Sequence, residues 1–353
     1  MNRREFLAGA TALAGLSAVR SSAATPTLPS QAQVLAAIKL VNNYWIAHNK
    51  PGNNDWPEAT YFTGDLAAYD ATGQSNYLSF AESWANEHHY ELEGGSHTTY
   101  ANYKAAGQVY IRLFQILEKS ADLTQITDSI HGMVSSSVVD EWTWIDAINM
   151  SMPCFAQLGS IYNNTSYYSK MFLLYEYPKD TLGLYDASNY HLWWENSDYA
   201  NTGTYWSRGN GWVFAAHAKI LSVLTSKNAN YQEYLSTFQN MAGALLAIQQ
   251  PGGYWNPDLG GTDYEGPESS GTAFFLFGMA WGVNAGLLDR ATYSPAIANA
   301  WNFFVTTAIQ PSGFLGYVQP SGSAPAAAPE NNTEDFGVGA FLLAAKQMAL
   351  LTA

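Results

Sequence analysis

Cysteine is nearly absent from this 353-residue chain. Cys154 is alone, so no intrachain disulfide forms, and a lone thiol of this kind packs as a small buried hydrophobe. Positive charge is scarce as well: 15 Lys and Arg stand against 29 Asp and Glu, a formal net charge of −14. Residues 1–24 hold Arg3, Arg4 and Arg20 against Glu5, so the remainder stands near −16. So acidic a surface repels polyanions and no basic run interrupts it, which excludes nucleic acid and anionic lipid as partners. No set of His, Cys and acidic residues has metal-ligand spacing. There is no G-x-S-x-G elbow and no Gly-rich phosphate loop after a strand. Neither a metal nor an organic cofactor is expected. Alternating apolar and polar stretches are also missing, which argues against a sheet, although 182–194 and 313–318 are candidates for local pairing.

The start, MNRREFLAGATALAGLSAVRSSAA (1–24), is charged, then moderately apolar, then small-residued at Ser22-Ala23-Ala24. Its apolar run is too short and too rich in Ala and Gly for a membrane span. Arg3-Arg4 followed by Phe6-Leu7 is similar to a twin-arginine leader. The expectation is a cleaved export signal and a lipid-free mature protein, residues 25–353, in the periplasm or outside the cell. A retained N-terminal anchor is the other reading. A protein that folds before export has no need of a disulfide, in keeping with the single cysteine.

What the chain has in excess is aromatic surface: 14% of residues, with 12 Trp and 23 Tyr. Trp and Tyr are the usual stacking faces for ring-shaped ligands. Apolar spacing and breakers predict about twelve helices, at 31–48, 60–71, 76–89, 101–118, 121–133, 145–161, 165–176, 211–225, 230–248, 271–286, 292–308 and 334–351. A weak repeat runs through LAAYDATGQSNYL (66–78), FAQLGSIYNNTSYY (155–168) and LSVLTSKNANYQEY (221–234). Each leaves a helix, turns through small polar residues and enters the next helix with a Tyr. Such units need neighbours to bury their apolar faces, and six pairs close into an all-α toroid, an (α/α)6 barrel, in one domain. An open helical solenoid is the alternative. The longest connections, 90–101, 178–207, 250–270 and 311–333, would gather at one mouth of a toroid, where function resides.

Four segments offer chemistry. In EWTWIDAINMSMP (141–153), Asp146 and Met150 share a helix face with Trp144 just before it. Burial beside Trp and Met raises a carboxyl towards a usable general acid, whereas capping the helix is the structural alternative. In YWSRGNGWV (205–213), Arg208 sits among Gly209, Gly211, Trp206 and Trp212. It suits a bidentate contact with a carboxylate ligand, or an ordinary ion pair. YHLWWENSD (190–198) offers His191 as a binding candidate and Glu195 and Asp198 as acids. In GPESSGTAFF (266–275), Glu268 reads first as a helix cap.

Taken together and in order, these segments resemble the unsaturated uronyl hydrolases, glycoside hydrolase families 88 and 105, and family 105 in particular. TYFTGDLAAYDATGQSNYL, which carries Tyr61, is similar to the first helix pair of that family. GQVYIRLF (107–114) is similar to its Gly-Gln-Thr-Tyr segment, and WTWIDAINMSMP to its Trp-x-Trp-x-Asp-Ala-Leu-x-Met segment. HLWWEN, YWSRGNGWV, ESSGTAFFLFGMAWGVNAGLLDRATY, GYVQPSGSAP and TEDFGVGAFLLA follow in family order.

The resemblance implies an (α/α)6 barrel acting on anionic oligosaccharides that end in a 4,5-unsaturated uronic acid. It implies that Asp146 protonates C4 and then activates water for attack at C5. One carboxyl serves as acid and then base, so the spacing rule for two carboxylates does not apply. By the same resemblance Trp144, Met150, Trp206, Arg208 and Trp212 line the site, with Tyr61 added from the first helix pair, and His191 matches a residue of some members. The chain departs from the family before Gly-Gln. Acidic residues are usual there, but this chain reads YANYKAAGQ, with Asn102 and Tyr103 in their place and no acid between Glu93 and residue 118. Asn102 is left to hydrogen-bond a substrate hydroxyl. Two further readings follow from the departure. One is a glycosidase of altered chemistry on a saturated sugar, recruiting Glu195, Asp198 or Glu268. The other is a catalytically silent carbohydrate-binding barrel.

Overall fold

The computed structural model describes residues 27–118, 123–261 and 263–353. The leader read at 1–24, and the first two residues of the helix expected from 121, lie outside them. Among the described residues there are twelve α-helices: α1 Gln31–His48, α2 Trp56–Thr72, α3 Ser75–Glu87, α4 Ala105–Leu117, α5 Thr124–Ser135, α6 Asp146–Ile161, α7 Thr165–Glu176, α8 Ser207–Leu221, α9 Tyr231–Ala247, α10 Ser269–Asn284, α11 Arg290–Phe303 and α12 Asp335–Leu351. Local chemistry sets many of these ends. Ser30 and Gln33 form a reciprocal capping box on α1. Asp55 caps α2, with Pro57 in its first turn, and α2 stops at Gly73 in the left-handed region.

The even-numbered helices form a closed ring. Each packs on the next, from α2 through α4, α6, α8 and α10 to α12, and α12 returns to α2. The odd-numbered helices lie outside that ring. This is the expected (α/α)6 barrel, and the closed ring rules out the open solenoid. Burial follows from it: every residue of α8 except Lys219 is buried, and α10 and α12 are buried along most of their length. The ring shuts through glycine. A Cβ on Gly64 would stand 2.4 Å from the Gly339 carbonyl oxygen, and one on Gly339 would stand 2.3 Å from that of Thr60. Only residues without a side chain let α2 and α12 approach so closely.

All inner helices point the same way, because an antiparallel outer helix separates each from the next. Their N-termini therefore surround one mouth, and the long connections gather there. These are stitched together by single antiparallel bridges, Trp144 to Asn196, Trp206 to Asp258 and Trp255 to Glu268. Within the connections Tyr185 meets Trp193, and Ile309 meets Leu315, the local pairing expected of 182–194 and 313–318. Several helix boundaries are corrections, with α2 beginning at Trp56 rather than at 60 and α4 at Ala105 rather than at 101. The helix expected from 211 begins at Ser207, which brings Gly209 and Gly211 inside it. The two glycines lie in its first turns because neighbouring side chains occupy the space a Cβ would need.

Candidate active site

Asp146 opens α6 at the mouth where the inner N-termini meet. It does not cap the helix: the N-cap is Ile145, and no side-chain cap bond is made. The preceding connection instead fixes its place, since the Ile145 N–H donates to the Glu195 carbonyl at 3.0 Å and Trp144 bridges to Asn196. That register puts the Glu195 side chain beside Asp146. Asn210 of α8 locks the same segment from behind, accepting from the Trp193 N–H at 2.8 Å and donating to its carbonyl at 2.9 Å. Gly209 leaves the necessary room, as a Cβ there would lie 2.9 Å from Glu195 Oε2.

The two side chains face one another at the floor of the mouth, close enough for their carboxyls to share a proton. Asp146 Oδ1 and Glu195 Oε2 are buried and accept from no described donor. Two bare carboxylates repel, so this approach requires a proton on one of them. Burial is the main influence on both. Asp146 is pushed up to about 7, with the Arg208 charge and the Glu195 hydrogen bond acting in the opposite direction. Glu195 is held well above the usual carboxylate range, by burial and then by the Asp146 charge. A carboxyl raised to that range is suited to giving up a proton and taking one back near neutral pH.

A cavity of about 380 Å³ lies over the pair, walled by Trp56, Tyr100, Asn102, Trp144, Met150, Asn196 and the 321–323 loop. Tyr100 and Trp144 sit together, with ring centres 5.5 Å apart. Lys104 holds the Tyr100 segment by donating to the carbonyls of Thr98 and Tyr100, at 3.0 and 3.4 Å. Asn102 makes a long contact with the Tyr100 hydroxyl at 3.5 Å, and its own Oδ1 is buried without a partner. An unpartnered buried acceptor beside an acid pair and an aromatic wall suits a polyhydroxylated ring.

Arg208 stands behind this wall. Its guanidinium is fully buried and sandwiched between Trp206 and Phe336, 4.4 and 4.5 Å from the ring centres. It donates to the carbonyls of Gln319 (3.1 Å), Pro320 (3.0 Å) and Gly322 (3.5 Å). Among the described residues no carboxylate lies within ion-pairing distance of it. The ordinary ion pair, one of the two readings from the sequence, is therefore not formed: Arg208 pins the loop that supplies Ser321 and Ser323, and sends its field onto Asp146 and Glu195.

The other expected residues divide in two. Trp144, Met150 and Asn102 line the cavity with Asp146. Trp206 and Trp212 are fully buried behind it, and Trp212 reaches the cavity only through an edge contact with Trp56. Tyr61 belongs to the core, where its hydroxyl donates to Asn42 Oδ1 at 2.8 Å. His191 sits in a turn with φ 54°, 3.4 Å from the Tyr185 hydroxyl, away from the cavity. Of the three alternative acids, only Glu195 reaches Asp146. Glu268 is buried and caps α10, accepting from the Ser270 and Gly271 N–H groups at 2.8 and 2.6 Å. Asp198 lies exposed in a turn. Sequence reasoning passed over Trp56, Tyr100 and Asn196, and gave the 321–323 loop only as part of the GYVQPSGSAP segment, with no residue of it assigned to the site. Trp56 alone carried a signal, as a Trp beside a helix-starting Asp-x-Pro. Among the described residues no group of three or more His, Cys, Asp or Glu is placed to hold a metal.

Comparison with known proteins agrees with this architecture. A solved family 88 glycosyl hydrolase of Bacteroides vulgatus is 30% identical, with a TM-score of 0.85 over 92% of this chain and 100% of that one. A solved protein described as a polysaccharide lyase is 32% identical, with a TM-score of 0.84 over 90% and 97%. An unsaturated 3S-rhamnoglycuronyl hydrolase of an Alteromonas species is 28% identical over 84% of this chain and 77% of its own length. Of the two families named above, the sequence profile that matches is that of Glycosyl Hydrolase Family 88, over residues 33–352. The chain is a member of that family of glycoside hydrolases.

Proposed function

We propose that the protein removes a 4,5-unsaturated uronic acid from the non-reducing end of oligosaccharides by adding water across C4=C5. The observation that carries this reading is that Asp146 and Glu195 meet in one cavity, set side by side by the Ile145–Glu195 backbone hydrogen bond and the Trp144–Asn196 bridge. An ordinary glycosidase needs two carboxyls on opposite sides of the scissile bond, about 5 Å or more apart. Two carboxyls close enough to share a proton form one acid–base unit. Enol-ether hydration asks for one: a proton delivered to C4, then a proton taken from water.

In this sequence protonated Asp146 gives its proton to C4, and the ring oxygen stabilises the cation that forms at C5. Asp146, now a carboxylate next to neutral Glu195, accepts a proton from water as the oxygen bonds to C5. The hemiketal opens to a C5 ketone, and the hemiacetal left at C1 releases the remaining saccharide. Trp144 and Tyr100 form the stacking wall, and Asn102 meets a ring hydroxyl. The hydroxyls of Ser321 and Ser323 receive the uronate carboxylate, with Arg208 behind them.

The curated relative's name supports a rhamnose-bearing leaving group. The Arg3-Arg4 leader supports action outside the cytoplasm. Incubation with lyase-generated oligosaccharides tests the reaction. Hydration abolishes the ultraviolet absorbance of the conjugated double bond, and Asp146→Asn suppresses that loss. An absorbance that rises on intact polysaccharide would indicate a lyase instead. Binding without any absorbance change would leave the silent barrel.

A further inference from the structure

The Asp146 cavity leaves the opposite end of the barrel without a role. A larger cavity, about 540 Å³, opens there between the C-terminal halves of the inner helices. Its lining includes Arg112, Lys219 and Lys346 but only one carboxylate, Asp70. Asp70 is already engaged by both rim cations, Arg112 at 2.7 Å and Lys346 at 2.6 Å. In a chain of net charge −14, this end is a positive enclosure.

Converging helix C-termini carry partial negative charge, and that accounts for cations at the rim. It does not account for Lys219. Lys219 is the one residue of α8 that is not buried against its neighbours, and it opens onto this cavity. Its Nζ donates to two neutral oxygens, Gln108 Oε1 at 3.0 Å and Asn149 Oδ1 at 3.2 Å. Among the described residues no carboxylate is within ion-pairing distance of it. Removal of its ammonium from bulk water lowers it to about 8. An enclosed cation without a counter-charge is costly, and an anion entering the cavity relieves that cost.

We propose that this mouth is a second binding site, for a sugar-sized anion bearing a carboxylate or a sulfate. The anionic group meets Lys219 and Lys346, the ring lies on Trp281, and Gln157 and Asn284 offer their amides to hydroxyls. The volume is within the range that small-molecule sites occupy, roughly 300–1,000 Å³. The proposal does not depend on the reaction assigned to Asp146.

Calorimetric titration of the full mature protein tests it, with sodium glucuronate, glucose 6-sulfate, glucose and inorganic sulfate as probes. The expected result is a binding component for both charged sugars that weakens at least ten-fold in Lys219→Met and several-fold in Lys346→Gln. That component persists in Trp144→Ala, and glucose does not show it. Methionine matches the length of the lysine stem without its charge, and circular dichroism with the melting temperature confirms that each variant folds. Binding unchanged in both lysine variants, or lost only in Trp144→Ala, would overturn the proposal. So would no binding of either charged sugar to the unmodified protein. Inorganic sulfate binding as tightly as the sugars would overturn the saccharide part.

Discussion

Asp146 and Glu195 face one another in one cavity, although 49 positions separate them in the chain. The pairing rests on two backbone features, the Ile145–Glu195 hydrogen bond and the Trp144–Asn196 bridge, and on the space left by Gly209. Each feature gives a separate handle on the chemistry.

Asp146→Asn is expected to lower kcat by about 10²–10⁴-fold, the usual contribution of a general acid–base group. The same change should stabilise the fold in alkaline solution. The folded-state pKa of Asp146 is raised to about 7, so its contribution to stability is fully present below the unfolded carboxyl range near about 4. That contribution is lost as pH rises through about 7. Melting temperatures of the variant should exceed those of the parent above neutrality and converge with them in acid. A parallel pH dependence for the two would contradict the assignment.

Glu195→Ala removes a hydrogen bond that holds Asp146 down. The alkaline limb of the kcat/KM profile should therefore move to higher pH, while Glu195→Gln, which still donates, stays close to the parent limb. A rate profile that is unchanged in Glu195→Ala would show that the pair does not act as a unit.

Arg208 separates charge from geometry. In Arg208→Met the alkaline limb rises, because the positive field on Asp146 is gone. In Arg208→Lys the field remains, but a point donor cannot span the carbonyls of Gln319, Pro320 and Gly322. KM should rise about ten-fold as the 321–323 wall loosens, equivalent to about 1.4 kcal/mol of binding, with the limb in place.

Trp144→Ala should raise KM on the order of ten-fold and leave kcat nearly unchanged, the pattern of lost uniform binding. Steady-state kinetics on one purified oligosaccharide distinguishes this from Gly209→Ala. There a new Cβ displaces Glu195, and kcat falls instead.

Much of the barrel was legible because helical period and polar turns are local signals. The bounds expected for the first and seventh helices coincide with α1 and α7. Asp146, Trp144 and Met150 were legible for the same reason, lying within one turn on either side of a helix start. The rest of the site depends on contacts between loops that no local pattern announces. Glu195 was one of three candidate acids until the bridge between two connections chose it, and Glu268 was withdrawn by its own cap. Arg208 shows the limit of composition: its rarity marked it out, but only the fold shows that backbone carbonyls hold it. Tyr61 and His191 were carried in by segment likeness, and neither reaches the cavity.

The central claim is that one carboxyl unit hydrates C4=C5 and leaves C1 to collapse afterwards. Reaction in heavy water, with the released acid examined by NMR at the earliest turnovers, tests it most directly. Hydration predicts a single deuterium on one face of C4 and loss of the double bond in step with release of the saccharide. Release of an unsaturated acid with its C4=C5 bond intact and no deuterium at C4 would contradict the account.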